Sequence, residues 1–388
     1  MVKIVRVENK NQLRKFIKFP FELYKDHPYW VPPLISDEKF TLNKEKNPAF
    51  EYSEAEMWLA YKDGKIAGRI AGIINHSFIK KWEKRYARFG WIDFIDDYEV
   101  SSALINQVEE WAKEKGMDAI HGPLGFCDLD KQGMLVEGFE EMGTFVTIYN
   151  FPYYVKHIES YGYVKDAEWI EIDITLPKTG EITEKLSALA QKAKEKYGLS
   201  VVPLKEPKDC IPYIPEIFDM LNEAYEHLYG VVPITDRQVQ TYVKQFFSFV
   251  NPDYISLIQD SEGKLAGFGI IMPSLSEAAR KSKGRLFPFG FIRFLKAIKK
   301  NDILDLYLVA IRPELRMKGV PYVMLDELTK TAIKNGVVKA IASPELETNH
   351  AVQSMWRYYD TRIHRRRRCY LKHLKENIDE GKIISSNA

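Results

Sequence analysis

The chain has 388 residues and carries 56 lysines and arginines against 54 aspartates and glutamates, a formal net charge of +2. Hydrophobic residues make up 45% and aromatics 13%, a composition that excludes an intrinsically disordered chain and predicts roughly two to three globular domains. Its three cysteines, Cys127, Cys210 and Cys369, are too widely spaced for a CxxC metal knuckle, and they exclude a disulfide framework.

The N-terminal segment and the apolar runs predict a soluble, cytoplasmic protein. Residues 1–6 run directly into the polar Glu8, Asn9 and Lys10, which leaves no apolar core for a signal peptide. No stretch approaches the ~18 uninterrupted apolar residues of a membrane-spanning helix. Widely spaced cysteines also fit a reducing compartment.

Apolar residues alternate along several segments and recur at helical spacing in others, which predicts a mixed α/β (α+β) fold. In the first half the order is strand, turn, strand, strand, helix and strand, at residues 57–61, 62–65, 66–74, 87–94, 104–112 and 118–122. The second half repeats this order at residues 254–258, 262–263, 264–271, 303–311, 324–333 and 337–342.

The repeated order indicates a tandem duplication. Its clearest trace is a pair of similar turn segments, Gly-Lys-Ile-Ala-Gly at residues 64–68 and Gly-Lys-Leu-Ala-Gly at residues 263–267, which lie 199 residues apart. The Pro/Gly break at residues 176–180 is the predicted junction. We therefore predict two domains, residues 1–177 and residues 178–388, each a mixed central sheet flanked by helices.

The near-neutral net charge is unevenly distributed along the chain, because two segments are strongly basic. Residues 280–300, in an insertion at about 273–300, carry eight cations and no acid, and residues 286–300 predict an amphipathic helix. Three interpretations of this helix are open: a docked helix with a solvated basic side, a lid over a ligand cleft, or peripheral contact with the inner face of the membrane or a lipid-like substrate. The second basic segment is residues 362–368. Within it, residues 365–368 predict a strand whose alternate arginines face water or acids of the other copy.

The loop after the strand at 303–311 predicts an anion site. Helix starts offer unpaired N–H groups and the positive end of the helix dipole, which together hold a phosphate or pyrophosphate. Arg316 and Lys318 would add charge, Gly319 would let a ligand approach the backbone, and Pro321 suits a first helical turn. An ordinary connection with a solvated basic loop is the alternative.

The pattern Arg316-x-x-Gly319-x-Pro321 resembles the pyrophosphate loop of the GNAT acyltransferase superfamily, Gln/Arg-x-x-Gly-x-Gly/Ala. Residues 347–349, opening a helix that runs through 356–359, resemble the next motif of that superfamily, in which an Asn starts a helix after a splayed fifth strand. The resemblance covers most of residues 200–375 and, more weakly, 50–175. Two departures are that Pro321 replaces a small residue and that Trp356 stands where many members have a Tyr general acid.

The resemblance implies two tandem GNAT-like domains and acyl transfer, in the second domain, from acetyl-coenzyme A or a longer acyl-coenzyme A to a primary amine. The acceptor would be a small molecule or a lipid-like amine. The implied cofactor-binding residues are Leu308, Val309, Ala310, Ile311, Arg316, Met317, Lys318, Gly319, Val320, Pro321 and Asn349. No histidine spacing supports a metal site, and no recognisable module supports nucleic acid as a partner.

Acyl transfer to an amine needs a base for the amine and donors for the tetrahedral intermediate and the departing thiolate. Asp305 and Glu347 are the carboxylates at strand ends nearest the expected cleft, so either is a candidate base. Tyr307 and Tyr359 are candidate donors. Each residue also has a structural interpretation, since a strand tyrosine usually packs and a loop glutamate is usually solvated.

The first copy lacks the basic loop, because Asp96, Asp97 and Glu99 stand in its place and would repel a pyrophosphate. We predict a degenerate domain whose aromatic and amide side chains form either an acceptor-side wall or an ordinary aromatic core. These candidate substrate-binding residues are Phe126, Tyr149, Asn150, Tyr153 and Tyr154. Two functions remain open: an N-acyltransferase, or an inactive GNAT-fold protein that binds a membrane surface or another anionic partner.

Overall fold

A computed structural model of the chain describes residues 1–178, 180–246 and 249–374, without the side chains of residues 181 and 246. In the first half the strands are β1 (Val2–Arg6), β2 (Ser53–Lys62), β3 (Lys65–Asn75), β4 (Tyr86–Phe94), β5 (Ala119–Gly122), β6 (Met134–Glu137) and β7 (Val164–Thr175). The helices there are α1 (Lys10–Leu23), α2 (Ile35–Thr41), α3 (His76–Trp82), α4 (Tyr98–Glu114) and α5 (Tyr153–Ser160).

The second half contains seven strands and seven helices among the described residues. The strands are β8 (Ser200–Val201), β9 (Ile255–Gln259), β10 (Leu265–Pro273), β11 (Ile303–Ile311), β12 (Lys339–Ala342), β13 (Glu345–Leu346) and β14 (Asp360–His373). The helices are α6 (Glu181–Tyr197), α7 (Ile214–Tyr225), α8 (Asp236–Phe246), α9 (Ser276–Ser282), α10 (Gly290–Lys299), α11 (Val320–Lys334) and α12 (His350–Gln353).

The predicted repeat is confirmed in both element order and strand pairing. In the first copy β2, β3 and β4 are successive antiparallel neighbours and β4 pairs in parallel with β5; β9, β10, β11 and β12 repeat this arrangement. The shared turn segment has a packing reason: a Cβ at Gly68 would lie 2.6 Å from Leu104 of α4, and one at Gly267 would lie 2.8 Å from Val320 of α11. Glycine lets each helix cross its sheet closely.

The two copies form one continuous mixed sheet by exchanging their last strands. Its order is β1-β2-β3-β4-β5-β14-β7-β12-β11-β10-β9-β8, with β6 beside β14 and β13 beside β7. Thus β7, which ends the first copy, pairs with β12 of the second, while β14, which ends the second copy, pairs with β5 of the first. The predicted boundary at residue 177 follows β7 directly and remains a prediction; Thr179 and residues 375–388 lie outside the described residues.

A buried ion cluster joins the two exchanged strands. The predicted arginine strand is confirmed within β14, where Arg365 and Arg367 point inward and are fully buried beside the equally buried Glu171 of β7. Arg367 donates to Glu171, and an Arg365 guanidinium nitrogen lies 3.6 Å from the other carboxylate oxygen. On the opposite face, Arg366 and Arg368 pair with Glu168 of β7. The alternate arginines therefore meet acids of the other copy on both faces.

Helices cover both faces of the sheet. α4 packs on β2 and β3, and α11 packs on β9 and β10, in line with the apolar faces predicted for both helices. Along the described residues, no helix is both long enough and apolar enough to cross a lipid bilayer.

Candidate active site

A cleft opens in the second copy where two parallel strands separate. β11 pairs with β12 only over residues 303–306, opposite residues 339–342. β12 ends before Pro344, and the chain then follows β7 as β13. On its other side β11 carries a bulge, because Ile270 pairs with Leu308 but Ile271 pairs with Leu306, leaving Tyr307 without a counterpart. A bulge bends its strand, so residues 307–311 present an edge that β12 does not cover.

The walls of this central cleft are mostly apolar, and polar side chains interrupt them at several positions. Apolar walls with a few oriented polar groups are typical of a small-molecule site. Its aliphatic lining includes Ile270, Leu304, Leu306, Leu308, Leu325, Leu328, Val352 and Met355. The polar lining includes Asp128, Gln132, Tyr225, Tyr229, Tyr307, Thr329, Ser343, Glu345, Asn349 and Tyr359.

Glu345, the first residue of β13, places a carboxylate in the central cleft. The indole N–H of Trp356 donates to Oε1 at 2.9 Å, while Oε2 is buried with no hydrogen-bond partner among the described residues. Burial raises the pKa of Glu345 to about 7, and the bond from Trp356 opposes that rise. A carboxylate with a pKa near neutrality and one oxygen free is suited to accept a proton.

A second carboxylate reaches the same cleft from the first copy. Asp128 belongs to the loop that follows β5, and burial raises its pKa to about 6, with the Gln132 side chain acting in the opposite direction. The central cleft is therefore lined by both copies, and each copy contributes an acid that is partly protonated near neutral pH.

The structure separates the four predicted catalytic residues. Asp305 is fully buried and does not line the central cleft; burial raises its pKa to about 7, a rise that Ser274 opposes. Glu347 is not among the residues that line the cleft, and it forms an ion pair with Lys165 at 2.6 Å. Tyr307 and Tyr359 both line the cleft. Of the two predicted bases, neither therefore borders the cleft.

The two tyrosines differ in their hydrogen bonding. The Tyr359 hydroxyl lies 2.7 Å from the Thr329 hydroxyl, and burial raises the pKa of Tyr359 to about 12. Burial raises the pKa of Tyr307 well above its ordinary value, and the charge of Asp305 adds to that rise. Both phenols therefore stay protonated at neutral pH and remain able to donate.

The predicted anion loop lies at the start of α11. Gly319 precedes the helix with a φ of 79°, which glycine adopts without strain. Arg316 and Met317 are exposed, and neither Arg316 nor Lys318 forms a side-chain ion pair with any described residue. The loop thus offers two unneutralised cations beside a helix N-terminus.

Some of the other predicted cofactor residues line the central cleft, and others are buried in the protein core. Leu308, Val309 and Asn349 line the central cleft, and the Tyr225 hydroxyl donates to the Val309 carbonyl at 3.2 Å. The remaining ones, Ala310, Ile311 and Val320, are buried in the cores on either side of β11. Pro321 lies in the first turn of α11, as predicted.

Four of the five residues predicted to bind the acceptor serve packing or hydrogen bonding within the first copy. Phe126 is core, Asn150 bonds both backbone groups of Leu135, the Tyr153 hydroxyl donates to the Phe94 carbonyl, and Tyr154 contacts the Tyr24 hydroxyl.

Tyr149 alone of the five borders a described cavity. This second cavity lies where β4 and β5 part, so it is the counterpart of the central cleft in the first copy. Its lining contains more charged residues than that of the central cleft, namely Asp37, Glu38, Arg69, Asp93, Asp130 and Lys131.

One group of potential metal ligands converges between the copies. Atoms of His121, Asp166 and Cys369 lie within 4.8 Å of one another. The Tyr229 hydroxyl contacts all three, at 2.9 Å from His121 Nδ1, at 3.4 Å from Cys369 Sγ, and as a donor to Asp166. Because the hydroxyl fills the space between the three side chains, we describe this group as a hydrogen-bond cluster that fixes one wall of the central cleft.

Comparison with solved structures defines the class of fold. A tandem GNAT protein from the clavulanic acid biosynthesis pathway superposes with a TM-score of 0.56, covering 97% of this chain and 99% of that one at 11% identity. A GCN5-related N-acetyltransferase from Sphaerobacter thermophilus gives a TM-score of 0.50, covering 97% of both chains at 10% identity. The chain therefore has the tandem GNAT fold that the repeat and the Arg316 loop predicted.

Comparison with known sequences adds two relatives of nearly full length. Protein YghO of Escherichia coli K12 is 29% identical over 377 residues, 94% of each chain. A bacterial ceramide synthase of Caulobacter vibrioides is 25% identical over 359 residues, covering 90% of this chain and 91% of that one. No protein-family model matches the chain.

Proposed function

We propose that this protein is an acyl-coenzyme A-dependent N-acyltransferase whose active site is the central cleft of the second copy, facing the first. One observation carries the proposal. The uncovered edge of β11 borders the cleft that contains Glu345, a carboxylate with a pKa near neutrality, and the chain continues from β11 into the Arg316 loop with its unneutralised cations. The GNAT fold and the ceramide synthase relative support acyl transfer as the general chemistry.

The residues present fit an acyl-coenzyme A. Arg316, Lys318 and the start of α11 would hold the pyrophosphate. The uncovered edge at Leu308 and Val309 would bond the amide groups of the pantetheine arm, with the Asn349 side chain nearby. Acyl-coenzyme A supplies the activated thioester, and the aliphatic walls would accommodate the acyl chain.

The reaction we propose needs one base and one acid. Glu345 accepts a proton from the acceptor ammonium, and the free amine nitrogen then forms a bond to the thioester carbonyl carbon. When the C–S bond of the tetrahedral intermediate breaks, the sulfur leaves with the electron pair and takes a proton from Tyr307 or Tyr359. The resulting tyrosinate takes the second proton from the nitrogen, which leaves a neutral amide and a free thiol. Trp356 cannot replace a tyrosine acid, because its N–H is engaged with Glu345; it is a positioning residue.

The acceptor we propose is a long-chain amine. A ceramide is an N-acylated long-chain amino alcohol, so the Caulobacter relative, by its name, makes an amide of this kind. In this chain the largely aliphatic lining supports an amphiphilic substrate, and Asp128, on the side of the first copy, would attract the ammonium group. Because Asp128 and Glu345 are separate carboxylates in the lining of one cleft, Asp128 would bind the ammonium group and Glu345 would remove its proton.

The proposal is tested by incubating the purified protein with palmitoyl-coenzyme A and a long-chain 2-amino alcohol. We expect release of free thiol and formation of the matching amide by mass spectrometry. Neither product with acetyl-, octanoyl- or palmitoyl-coenzyme A, and with either short or long amines, would overturn it in favour of an inactive GNAT-fold binding protein.

The Arg316 loop provides a prediction about cofactor affinity. Arg316→Ala combined with Lys318→Ala should raise the KM for acyl-coenzyme A at least about tenfold and change kcat little, because charge-assisted bonds to a distant pyrophosphate act equally in the ground and transition states. Lys334→Ala, at the exposed opposite end of α11, is the matched control and should leave KM unchanged. An unchanged KM in the double variant would contradict this assignment.

Trp356 provides a prediction about pH dependence. Its hydrogen bond lowers the pKa of Glu345, so Trp356→Phe should raise that pKa and move the acidic limb of the kcat/KM profile to higher pH. Trp169→Phe, which also lines the cleft but has no bond to Glu345, should leave the limb in place. A limb that stays or moves to lower pH in Trp356→Phe would argue against Glu345 as the base.

A further inference from the structure

The insertion of the second copy presents an apolar surface. α10 (Gly290–Lys299) forms within the segment 286–300 predicted as a helix, whose first four residues are instead a loop. Phe291, Ile292 and Leu295 on α10 are each at least 40% exposed. The loop before α10 exposes Phe287 and Phe289 by 77% and 67%. Single exposed apolar residues are common, but five within nine positions form an exposed apolar patch, which is typical of a surface that binds another molecule.

The same segment is strongly cationic, and few of its cations are neutralised. Arg280 and Lys281 pair with Glu277 at the start of the segment. Six others form no ion pair with any described residue, and no acid lies between residues 280 and 300. These six are Lys283, Arg285, Arg293, Lys296, Lys299 and Lys300.

α10 is held in place by its opposite face. Phe294 is buried, with its ring centroid 6.0 Å from that of Phe145 and 6.2 Å from that of Phe249. Ala297 and Ile298 pack against the same core. The helix thus already has a core-facing side, and the exposed phenylalanines and lysines form a second, separate surface.

A mostly apolar cavity lies in the core on which α10 packs. Its lining includes Leu34, Phe145, Met272, Leu275, Leu286 and Tyr307. Leu286 lies at the base of the exposed loop, and Tyr307 also lines the central cleft. The cavity therefore shares the Leu286 loop with the exposed patch and the Tyr307 side chain with the central cleft.

We propose that residues 286–299 dock the protein on an anionic lipid bilayer, so that the cavity beneath α10 opens toward the lipid and admits a long-chain amine from the membrane; the second half of this inference rests on the proposed function. Exposed aromatics enter the interfacial region, and the unpaired lysines and arginines meet anionic headgroups. Both features occupy the same short segment, which is the combination expected of a helix that lies in the interface of an anionic membrane.

Vesicle binding tests the docking without any catalysis. The intact protein should sediment with phosphatidylcholine vesicles containing 30 mol% phosphatidylglycerol, and much less with pure phosphatidylcholine vesicles, and added salt should weaken the binding. Lys296→Glu with Lys299→Glu should weaken binding by more than about 20-fold, since each lysine near the surface contributes about fivefold. Phe287→Ser with Phe289→Ser should weaken it by more than about tenfold.

Matched controls separate the patch from general surface properties. Ile211→Ser with Val338→Ser removes two apolar residues that are about half exposed elsewhere, and it should bind as wild type does. The unfolding temperature of each variant checks that the exposed substitutions leave the fold intact. Equal binding to both vesicle types would overturn the docking. So would binding as tight as that of the wild type in the lysine variant and the phenylalanine variant.

Activity distinguishes this inference from the proposed function. With a long-chain amine embedded in the anionic vesicles, the phenylalanine variant should lose activity in proportion to its lost binding, yet recover it when the amine is dispersed in detergent. Normal vesicle binding without acyl transfer would overturn the proposed function and leave the docking standing. Full activity on embedded amine without vesicle binding would overturn the membrane route.

Discussion

Glu345→Gln should lower kcat by about 100-fold to 10,000-fold, which is the usual contribution of a positioned general base. Glutamine keeps the size of the side chain and its carbonyl oxygen can still accept from Trp356, so the cleft should remain intact. The wild-type rate should rise with pH through about 7, because burial holds the pKa of Glu345 there and only the ionised form accepts a proton. In the variant this limb should disappear.

Two neighbouring carboxylates serve as controls. Glu347→Gln lies two residues further on, outside the cleft and paired with Lys165, so its activity should fall by less than about twofold. Asp305→Asn addresses the other predicted base, whose pKa is also raised to about 7 but which does not reach the cleft. If the asparagine variant loses activity while Glu345→Gln retains it, Asp305 and not Glu345 is the base. Unchanged affinity for coenzyme A in each variant would exclude a binding defect.

Glu171→Gln should destabilise the fold by about 3–5 kcal/mol, as expected when one partner of a buried ion cluster is removed. Glu171 is the shared carboxylate between Arg365 and Arg367, and all three side chains are fully buried. Their charges hold the pKa of Glu171 below its ordinary value although burial acts to raise it. Neutralising Glu171 would leave two guanidinium groups without a counterion at the centre of the sheet.

Urea unfolding measures this effect, since a loss of this size is a large share of the roughly 5–15 kcal/mol by which most proteins are stable. Glu168→Gln on the same strand is the matched control; its partners Arg366 and Arg368 reach solvent, so the loss should be clearly smaller. Adding Arg365→Met to Glu171→Gln should recover part of the stability, because one unpaired charge is removed. A midpoint equal to wild type in Glu171→Gln would show that the cluster contributes nothing to stability.

The sequence determined the local structure and the identity of the repeat. Turn residues, alternation of apolar residues and helical spacing depend on near neighbours, so the hairpin at Gly64, the helix beginning after Gly319 and the amphipathic α10 followed from sequence patterns. The repeat and the Arg316–Gly319 pattern together were enough to indicate the tandem GNAT fold, because a motif of this kind depends on a short segment.

Only the tertiary structure decided which carboxylate faces the cleft. Asp305 lies near the start of the strand predicted at residues 303–311, and Glu345 and Glu347 follow the strand predicted at 337–342. Nothing in the sequence shows which of the three carboxylates faces a cleft. The turn at Pro344 and the pairing of β13 with β7 direct Glu345 into the cleft, and Trp356 holds it there. Asp128 comes from the other copy, so its position depends on how the copies meet.

The exchange of terminal strands likewise came only from the tertiary structure. Alternation of apolar residues can indicate that a segment is a strand, but it does not name the strand's partners, since backbone pairing is the same for any neighbour. Burial of Glu171 together with Arg365 and Arg367 favours the arrangement in which β7 lies beside β14. These charges are about 195 residues apart in the chain. Long-range electrostatic and packing energies of this kind are properties of the assembled sheet.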